Sequence, residues 1–378
     1  MVKIIAYYLP QYHEIPENNE WWGKGFTEWT NVKNCKPVFK GQKQPKVPLN
    51  NNYYDLMNKE TIEWQTKLAN DYGIYGFCYF HYWFKNGRKI LEKPAENILK
   101  WKNIPQRFCF FWANCQWQRT WSNTNVGGTT WVSDDKRLAG DSKEILLEQD
   151  YGTEKDWTEH FYYCLEFFKD DRYIKINNKP FFAIYNLNLI DCAEPMFALW
   201  NSLAKQNGFD GIHFVSVNQD GSYNPYIEAS LQYGGGTFSE DFFFAKWNFI
   251  RNCMNFFLKK VRLEKYSVKN IWNYSFIWHC ILRTKPFKKI HTYPGAEVKY
   301  DETPRRGRKA LIFRDASPEL FGKFFKKQLT RCRCLYHSDY IFLDAWNEWG
   351  EGNYLEPDQE YGYGFLEALK NSFDSQEK

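Results

Sequence analysis

Strand-length apolar runs recur along this chain, and amphipathic stretches of helical length separate most of them. The clear runs lie at 3–9, 74–84, 108–113, 181–185, 212–217, 310–313 and 340–346, with a weaker one near 229–238. Helical stretches are expected at 61–72, 157–169, 194–206, 318–329 and 363–373. One of them opens on Ser317-Pro318-Glu319, a cap residue followed by proline at the first helical position. Strands that are apolar on both faces need cover on both faces, which a parallel sheet flanked by helices supplies. About eight such strands in alternation with helices point to an α/β protein, the (β/α)8 TIM-type barrel with long βα-loop insertions. An open doubly wound sheet would bring a glycine-rich phosphate loop after its first strand, and none follows 3–9. The 378 residues suit a single (β/α)8 catalytic domain over 1–378. Residues 115–156 and 239–308 are too long for ordinary connections and are expected to be insertions on the active face.

In such a barrel, chemistry gathers where strands end and βα loops begin. Polar and aromatic residues cluster at that end of nearly every run. Tyr8, Gln11, His13, Trp22, Glu28 and Trp29 lie at or beyond the end of the first, and His81, Tyr82 and Trp83 at the end of the second. Asn114, Trp117 and Arg119 follow the third, Tyr185 the next and Asn218 the one after. The last strand empties into Trp346-Asn347-Glu348-Trp349-Gly350-Glu351-Gly352. Aromatic residues make up 20% of the chain. Flat apolar faces beside fixed hydrogen-bonding groups suit sugar rings, which have C–H faces and hydroxyl edges. All these residues, with Trp346, Asn347 and Trp349, are therefore candidate substrate-binding residues.

Glu348 and Glu351 are the catalytic candidates. Residues three apart in a tight turn share one side, so both carboxylates could face the barrel axis. Two carboxyls flanking a sugar C–O bond are what glycoside cleavage requires, provided their surroundings separate their pKa values. Trp346 and Trp349 are expected to supply dry walls that raise one of them, and Asn347 a donor for its neighbour. No HxH or HExxH occurs, and Asp220, Glu240 and Asp241 are dispersed, so neither a metal nor a cofactor is expected. Arg305, Arg306 and Arg308 suit either a phosphate group or a solvated basic loop.

Charge is unevenly spread. Residues 246–309 hold 16 Lys/Arg against 4 Asp/Glu, within a chain whose formal net charge is +5. With no nucleic-acid motif beside it, this stretch is expected to touch an anionic membrane surface peripherally or to form a solvated lid. Nucleic acid is not an expected partner. The ten cysteines form no CxxC pair, the N-terminus turns polar too soon for a signal peptide, and no apolar run reaches membrane-spanning length. A cytoplasmic protein with reduced thiols, peripheral to the inner membrane face at most, is the expectation.

The last-strand motif, followed by Leu355-Glu356-Pro357, resembles the signature of glycoside hydrolase family 99, the endo-α-mannosidase family. More closely, the chain resembles the WbsX-like branch of that group, found among bacterial O-antigen and capsule biosynthesis proteins. The matching pieces include Tyr8-Leu9-Pro10-Gln11-Tyr12-His13, Trp21 to Trp29, Gly76 to Trp83, Trp112-Ala113-Asn114, Asp171 to Lys175, Lys179-Pro180 and Thr303-Pro304-Arg305-Arg306. The resemblance implies a retaining mechanism through the sugar's own 2-hydroxyl. Glu348 would draw the 2-hydroxyl proton, giving a 1,2-anhydro sugar, and Glu351 would act as general acid and then general base. Cys115 and Gln116 stand where that branch carries an acidic residue after Trp-Ala-Asn. Three functions remain open on these grounds. One is an enzyme that cleaves or transfers a mannoside-like glycosidic bond in an oligosaccharide or lipid-linked glycan. The others are a nucleotide-sugar-dependent glycosyltransferase and a catalytically inactive glycan-binding protein.

Overall fold

The computed structural model describes residues 2–119, 129–131, 144–234, 238–263 and 266–374. Its centre is a nearly closed barrel of parallel strands: β1 (Lys3–Tyr8), β2 (Ile74–His81), β3 (Phe108–Trp112), β4 (Lys179–Ile184), β5 (His213–Val217), β6 (Ile227–Leu231), β7 in two pieces (His291–Tyr293 and Gly295–Glu297) and β8 (Tyr340–Asp344). β6 pairs with the first piece of β7, and β8 pairs with the second and with β1. Pro294, which has no N–H to give, divides the pieces, and its carbonyl accepts from Phe342 N at 3.0 Å. Gly295 is needed there: a Cβ would lie 1.8 Å from the Gln232 carbonyl oxygen. The expected (β/α)8 architecture is therefore the one observed.

The barrel interior explains much of the aromatic content. Tyr7 of β1 is fully buried and its ring meets Phe80 of β2, Phe111 of β3, Phe342 of β8 and Tyr233 just past β6. Rings fill the space that branched aliphatics more often fill in barrels of this kind. Helices form at Lys59–Asp71, Glu154–Phe168, Ala193–Gln206, Pro318–Cys334 and Gly364–Asp374, each over an expected stretch. Ser317 caps its helix through Oγ, accepting from Leu320 N at 3.3 Å.

One run does not enter the barrel. Leu311–Arg314 pairs in parallel with Asn270–Asn273 in a separate two-stranded sheet. The seventh barrel position is held by 291–297, inside the stretch 239–308 expected to be wholly an insertion. The run at 310–313 is apolar because Leu311 and Phe313 wall the cavity described below. His291 to Glu297 is short and broken by Pro-Gly, so it has no uninterrupted apolar run to betray it. In 115–156 the described residues Trp117–Arg119, Thr129–Trp131 and Glu144–Leu147 form a small antiparallel sheet. The ten cysteines are free thiols, with Cys253 and Cys334 exposed. Among the described residues no helix is long and apolar enough to cross a membrane.

Candidate active site

Beyond β8 the chain is sewn to the exit of β1. Trp346 N donates to Tyr7 O at 2.8 Å. The Asn347 amide pairs with the backbone of one residue at the first strand's exit, accepting from Leu9 N at 2.7 Å and donating to Leu9 O at 3.0 Å. Trp349 N donates to the Tyr12 hydroxyl at 3.1 Å, and its indole stacks on Tyr354 with ring centroids 3.7 Å apart. The Lys299 ammonium lies 3.5 Å from the Tyr354 ring centroid. Trp349–Glu351 makes one turn of 3-10 helix and ends on Gly352 in the left-handed region, φ 58°. The tight turn brings the carboxylates of Glu348 and Glu351 to one guanidinium.

That guanidinium is Arg305, only 7% exposed, on the short helix Thr303–Arg306. Its Nε donates to Glu28 Oε1 at 2.9 Å, its Nη2 to Glu348 Oε2 at 3.0 Å and its Nη1 to Glu351 Oε1. Glu28 opens a helix, Glu28–Asn34, whose cap Thr27 forms a capping box with Thr30. A single fork thus fixes three acidic side chains from two distant parts of the chain.

The close packing allows a sharp test. A Cβ on Gly350 would fall 1.8 Å from Glu28 Oε1 and 2.8 Å from Arg305 Nε. Gly350→Ala should push Glu28 off the guanidinium and destabilise the fold by about 1–3 kcal/mol. Thermal unfolding would show it, and a melting temperature equal to wild type would contradict the geometry.

Three carboxylates around one fixed positive charge cannot all ionise cheaply out of water. Burial pushes the Glu348 carboxyl well above the usual carboxylate range; Arg305 opposes the rise, and Glu351, Glu28 and Asp344 add to it. Burial, then Asp344 and Glu351, likewise raise Glu297 at the end of β7, against the Asn353 amide that donates to it at 2.6 Å. Arg305 is held well above its ordinary value, since the attraction of Glu28, Glu348 and Glu351 outweighs burial, and stays charged. Glu348 is almost wholly buried, whereas the Glu351 side chain keeps 15% of its surface open.

The pair opens on a cavity of about 280 Å³, near the lower end of ligand pockets. Glu348, Glu351, Asp344, Glu302, Arg305 and Arg306 contribute its charged groups, and Phe80, Phe111, Tyr185, Tyr233, Phe238, Tyr300 and Phe313 its aromatic walls, with Asn218 among the rest. Of the candidate residues, Glu348, Glu351, Tyr185 and Asn218 line this space, and Glu28 stands behind it through Arg305.

The other candidates lie outside the lining of this cavity, and several hold the structure around it. Tyr8 donates to Gln65 Oε1 at 2.6 Å, the Gln11 carbonyl accepts from Glu28 N, and Trp29 Nε1 donates to Tyr54 O at 2.8 Å. His13, Trp22 and Tyr82 are buried without lining the cavity. The Asn114 amide ties Tyr151 to Asn186, and Trp117 packs edge-on against Tyr82. The Arg119 side chain lies outside the described residues. Neither tryptophan lines the cavity: Trp346 packs on Phe77, and Trp349 Nε1 donates to Glu356 at 2.7 Å. Nor does Asn347 serve Glu348, because its amide is spent on Leu9. Arg305 is neither a phosphate claw nor a solvated loop residue, and Arg306 pairs with Glu302 at 3.2 Å. The walls contributed by Tyr233, Tyr300 and Phe313 were not among the candidates; Tyr233, directly after β6, followed the same strand-exit rule that found Tyr185.

His81, His160 and Cys164 could together hold a metal ion, their ligand atoms lying within 4.8 Å of one another. They are buried away from the cavity lining. His81 Nε2 and His160 Nε2 share a hydrogen bond at 2.8 Å, and Trp83 stacks on His160. Burial lowers His81 to about 3 and His160 well below its usual value, so both rings are neutral.

A family model described as Glycosyltransferase WbsX matches residues 4–369. Two curated relatives, each called an uncharacterized protein WxcX and from two strains of Xanthomonas campestris pv. campestris, are 28% identical over 98% of this chain. The chain spans 49% of their length. Among solved structures, a GH99 endo-alpha-mannosidase from Bacteroides thetaiotaomicron superposes with a TM-score of 0.54 at 13% identity, covering 99% of this chain and 96% of its own. A glycoside hydrolase-like protein superposes with a TM-score of 0.55 at 12% identity, covering 98% and 94%. Both share the barrel fold.

Proposed function

The chain belongs to the WbsX glycosyltransferase family, and from that premise we propose that it is a carbohydrate-active enzyme of bacterial surface-polysaccharide metabolism, of the O-antigen or capsule kind. It cleaves or transfers a mannoside-like glycosidic bond in an oligosaccharide or lipid-linked glycan. Glu348 takes the proton from the sugar 2-hydroxyl, whose oxygen displaces the leaving group from the neighbouring carbon. Glu351 gives its proton to the departing oxygen and takes one back from water when the 1,2-anhydro sugar opens, while Glu348 returns its proton to the 2-oxygen. The observation that carries this proposal is the shared guanidinium: Arg305 holds both carboxylates, from one tight turn, at the edge of an aromatic-walled cavity.

The electrostatics bear on the role of Glu348 as base. An ordinary carboxylate is a weak base toward a sugar hydroxyl, and raising its pKa strengthens it. Glu348 is such a raised carboxyl, and the Glu351 side chain keeps part of its surface open to the cavity. The cavity carries four acidic side chains against two arginines, one of them already committed to three carboxylates. That balance suits a neutral sugar better than the diphosphate of a nucleotide sugar.

The proposal is tested on a panel of mannose-type disaccharides. Product should form with retained configuration, and analogues with the 2-hydroxyl methylated or removed should not react. Turnover of those analogues, or calorimetric binding of nucleotide sugars in preference to glycans, would sink it. Because the ionised form of Glu348 is the active one, activity should rise with pH through a value above the usual carboxylate range of about 4–4.5. Glu28→Gln removes one of the negative charges that raise Glu348, so that acid limb should move to lower pH. An acid limb unmoved in Glu28→Gln would separate Glu348 from the rate.

A further inference from the structure

We infer that the helix Phe242–Lys260 docks on an anionic lipid bilayer and sets the mouth of the cavity against it. The helix is 19 residues, roughly 28 Å long. Its first turn is built into the protein, and farther along Asn255 is tied to Val268, donating to its O at 3.0 Å and accepting from its N at 2.7 Å. Asp241 caps it, accepting from Phe243 N at 2.9 Å and Phe244 N at 3.2 Å, and Arg283 clamps that cap with two hydrogen bonds at 2.7 and 2.9 Å. Phe244 is its one buried residue and packs on Phe238 and Trp272 with ring centroids 4.8 and 4.5 Å away. Phe238 is itself a wall of the cavity. The anchored end therefore sits one side chain from the site.

One side of the remaining helix is half-buried at Asn248, Ile250, Arg251, Asn255 and Leu258, and the rest is exposed. Phe242, Trp247, Phe249, Met254, Phe256 and Phe257 are each between 50% and 70% exposed. So large an exposed aromatic face marks an interaction surface. Its charge says what kind. From Phe242 to Arg262 the chain carries Lys246, Arg251, Lys259, Lys260 and Arg262 and no acidic residue. Phe and Trp interleaved with Lys and Arg are what an interfacial helix requires. The rings enter the headgroup boundary, and the long basic side chains reach back to lipid phosphates. A protein partner or a second copy of this chain would ordinarily answer the basic groups with acidic ones, whereas an anionic bilayer supplies phosphate everywhere. The helix lies on the surface; it is not long and apolar enough to span.

Docking stands apart from catalysis, although it deepens the proposed function by giving a lipid-linked glycan a direct route to the cavity. The full chain should co-sediment with vesicles of equimolar phosphatidylglycerol and phosphatidylcholine. Binding should weaken by about tenfold or more on pure phosphatidylcholine, and fall steeply with added salt. Phe249→Glu with Phe256→Glu, and separately Lys259→Gln with Lys260→Gln, should each lose about tenfold in vesicle affinity. All four positions are solvent-facing, and melting temperatures equal to wild type would confirm folding. Glu351→Gln should sediment as wild type does, so a failure of the catalytic proposal leaves this one standing. Absence of sedimentation at low salt would overturn it. So would unchanged sedimentation of both double variants. A dimer that Phe249→Glu with Phe256→Glu converts to monomer, without vesicle binding, would assign the face to a second copy instead.

Discussion

Glu351→Gln is expected to fold as wild type does and to react about 10²–10⁴-fold more slowly on a substrate with a sugar leaving group. Gln keeps the length of the side chain and still offers Arg305 Nη1 an acceptor oxygen. Arg305 keeps its ion pairs with Glu28 and Glu348, so the fold should hold. What it loses is the transferable proton. Glu348→Gln should be slowed as much or more, for a different reason: it loses the base that activates the 2-hydroxyl. Leaving-group chemistry separates the two. An aryl glycoside departs without a proton, so Glu351→Gln should recover bond cleavage on it, while Glu348→Gln should not. The double variant should be little slower than the worse single one, because the residues act as a unit. Equal recovery of both variants on the aryl substrate would break the assignment of roles. Residual rates near wild type would remove the pair from catalysis altogether.

The barrel was legible because apolar runs of strand length leave a signal that no partner residue has to explain. Seven of its eight positions announce themselves in that way, from Lys3–Tyr8 to Tyr340–Asp344. The exception, His291 to Glu297, is split by Pro294 and takes its place through pairing with β6 and β8, which is a tertiary fact. The carboxylate pair was legible for a local reason, two acids three residues apart after a buried strand. Its surroundings were not. Asn347 and Trp349 look like ligand-binding residues in the sequence, yet a loop leaving a buried strand also has to satisfy its own backbone. Asn347 serves Leu9 in this way, and Trp349 serves Glu356. Arg305 lies among Arg306, Arg308 and Lys309 and reads as one of a basic run. Only folding brings Glu28, 277 residues away, to its Nε. Long-range charge pairing leaves no periodic trace, so the residue that organises the site was the hardest to see.

Arg305→Met should have the largest effect on stability. The side chain is 7% exposed and holds Glu28, Glu348 and Glu351, which are 4%, 2% and 15% exposed. Methionine fills much of the space and removes the positive charge that all three share. Breaking a buried pair from one side typically costs about 3–5 kcal/mol, a large share of the 5–15 kcal/mol of an ordinary fold. The sign of its pH dependence follows from the carboxyls left behind. Arg305 is what holds Glu348 down against burial, so its loss raises that group further. A carboxyl whose folded pKa lies above its unfolded value is stable while protonated and loses that stability as pH rises through the folded pKa. The deficit of Arg305→Met relative to wild type should therefore be greatest at neutral and alkaline pH and shrink toward about pH 4–5, in urea unfolding followed across that range. Arg305→Lys keeps the charge but has no fork to span three acceptors, and should fall between. Adding Glu348→Gln to Arg305→Met removes one stranded charge and should restore part of the loss, a coupling a double-mutant cycle can read. A deficit that is flat with pH, or no recovery in the double variant, would mean that Arg305 acts by packing alone and that the three carboxylates do not depend on its charge.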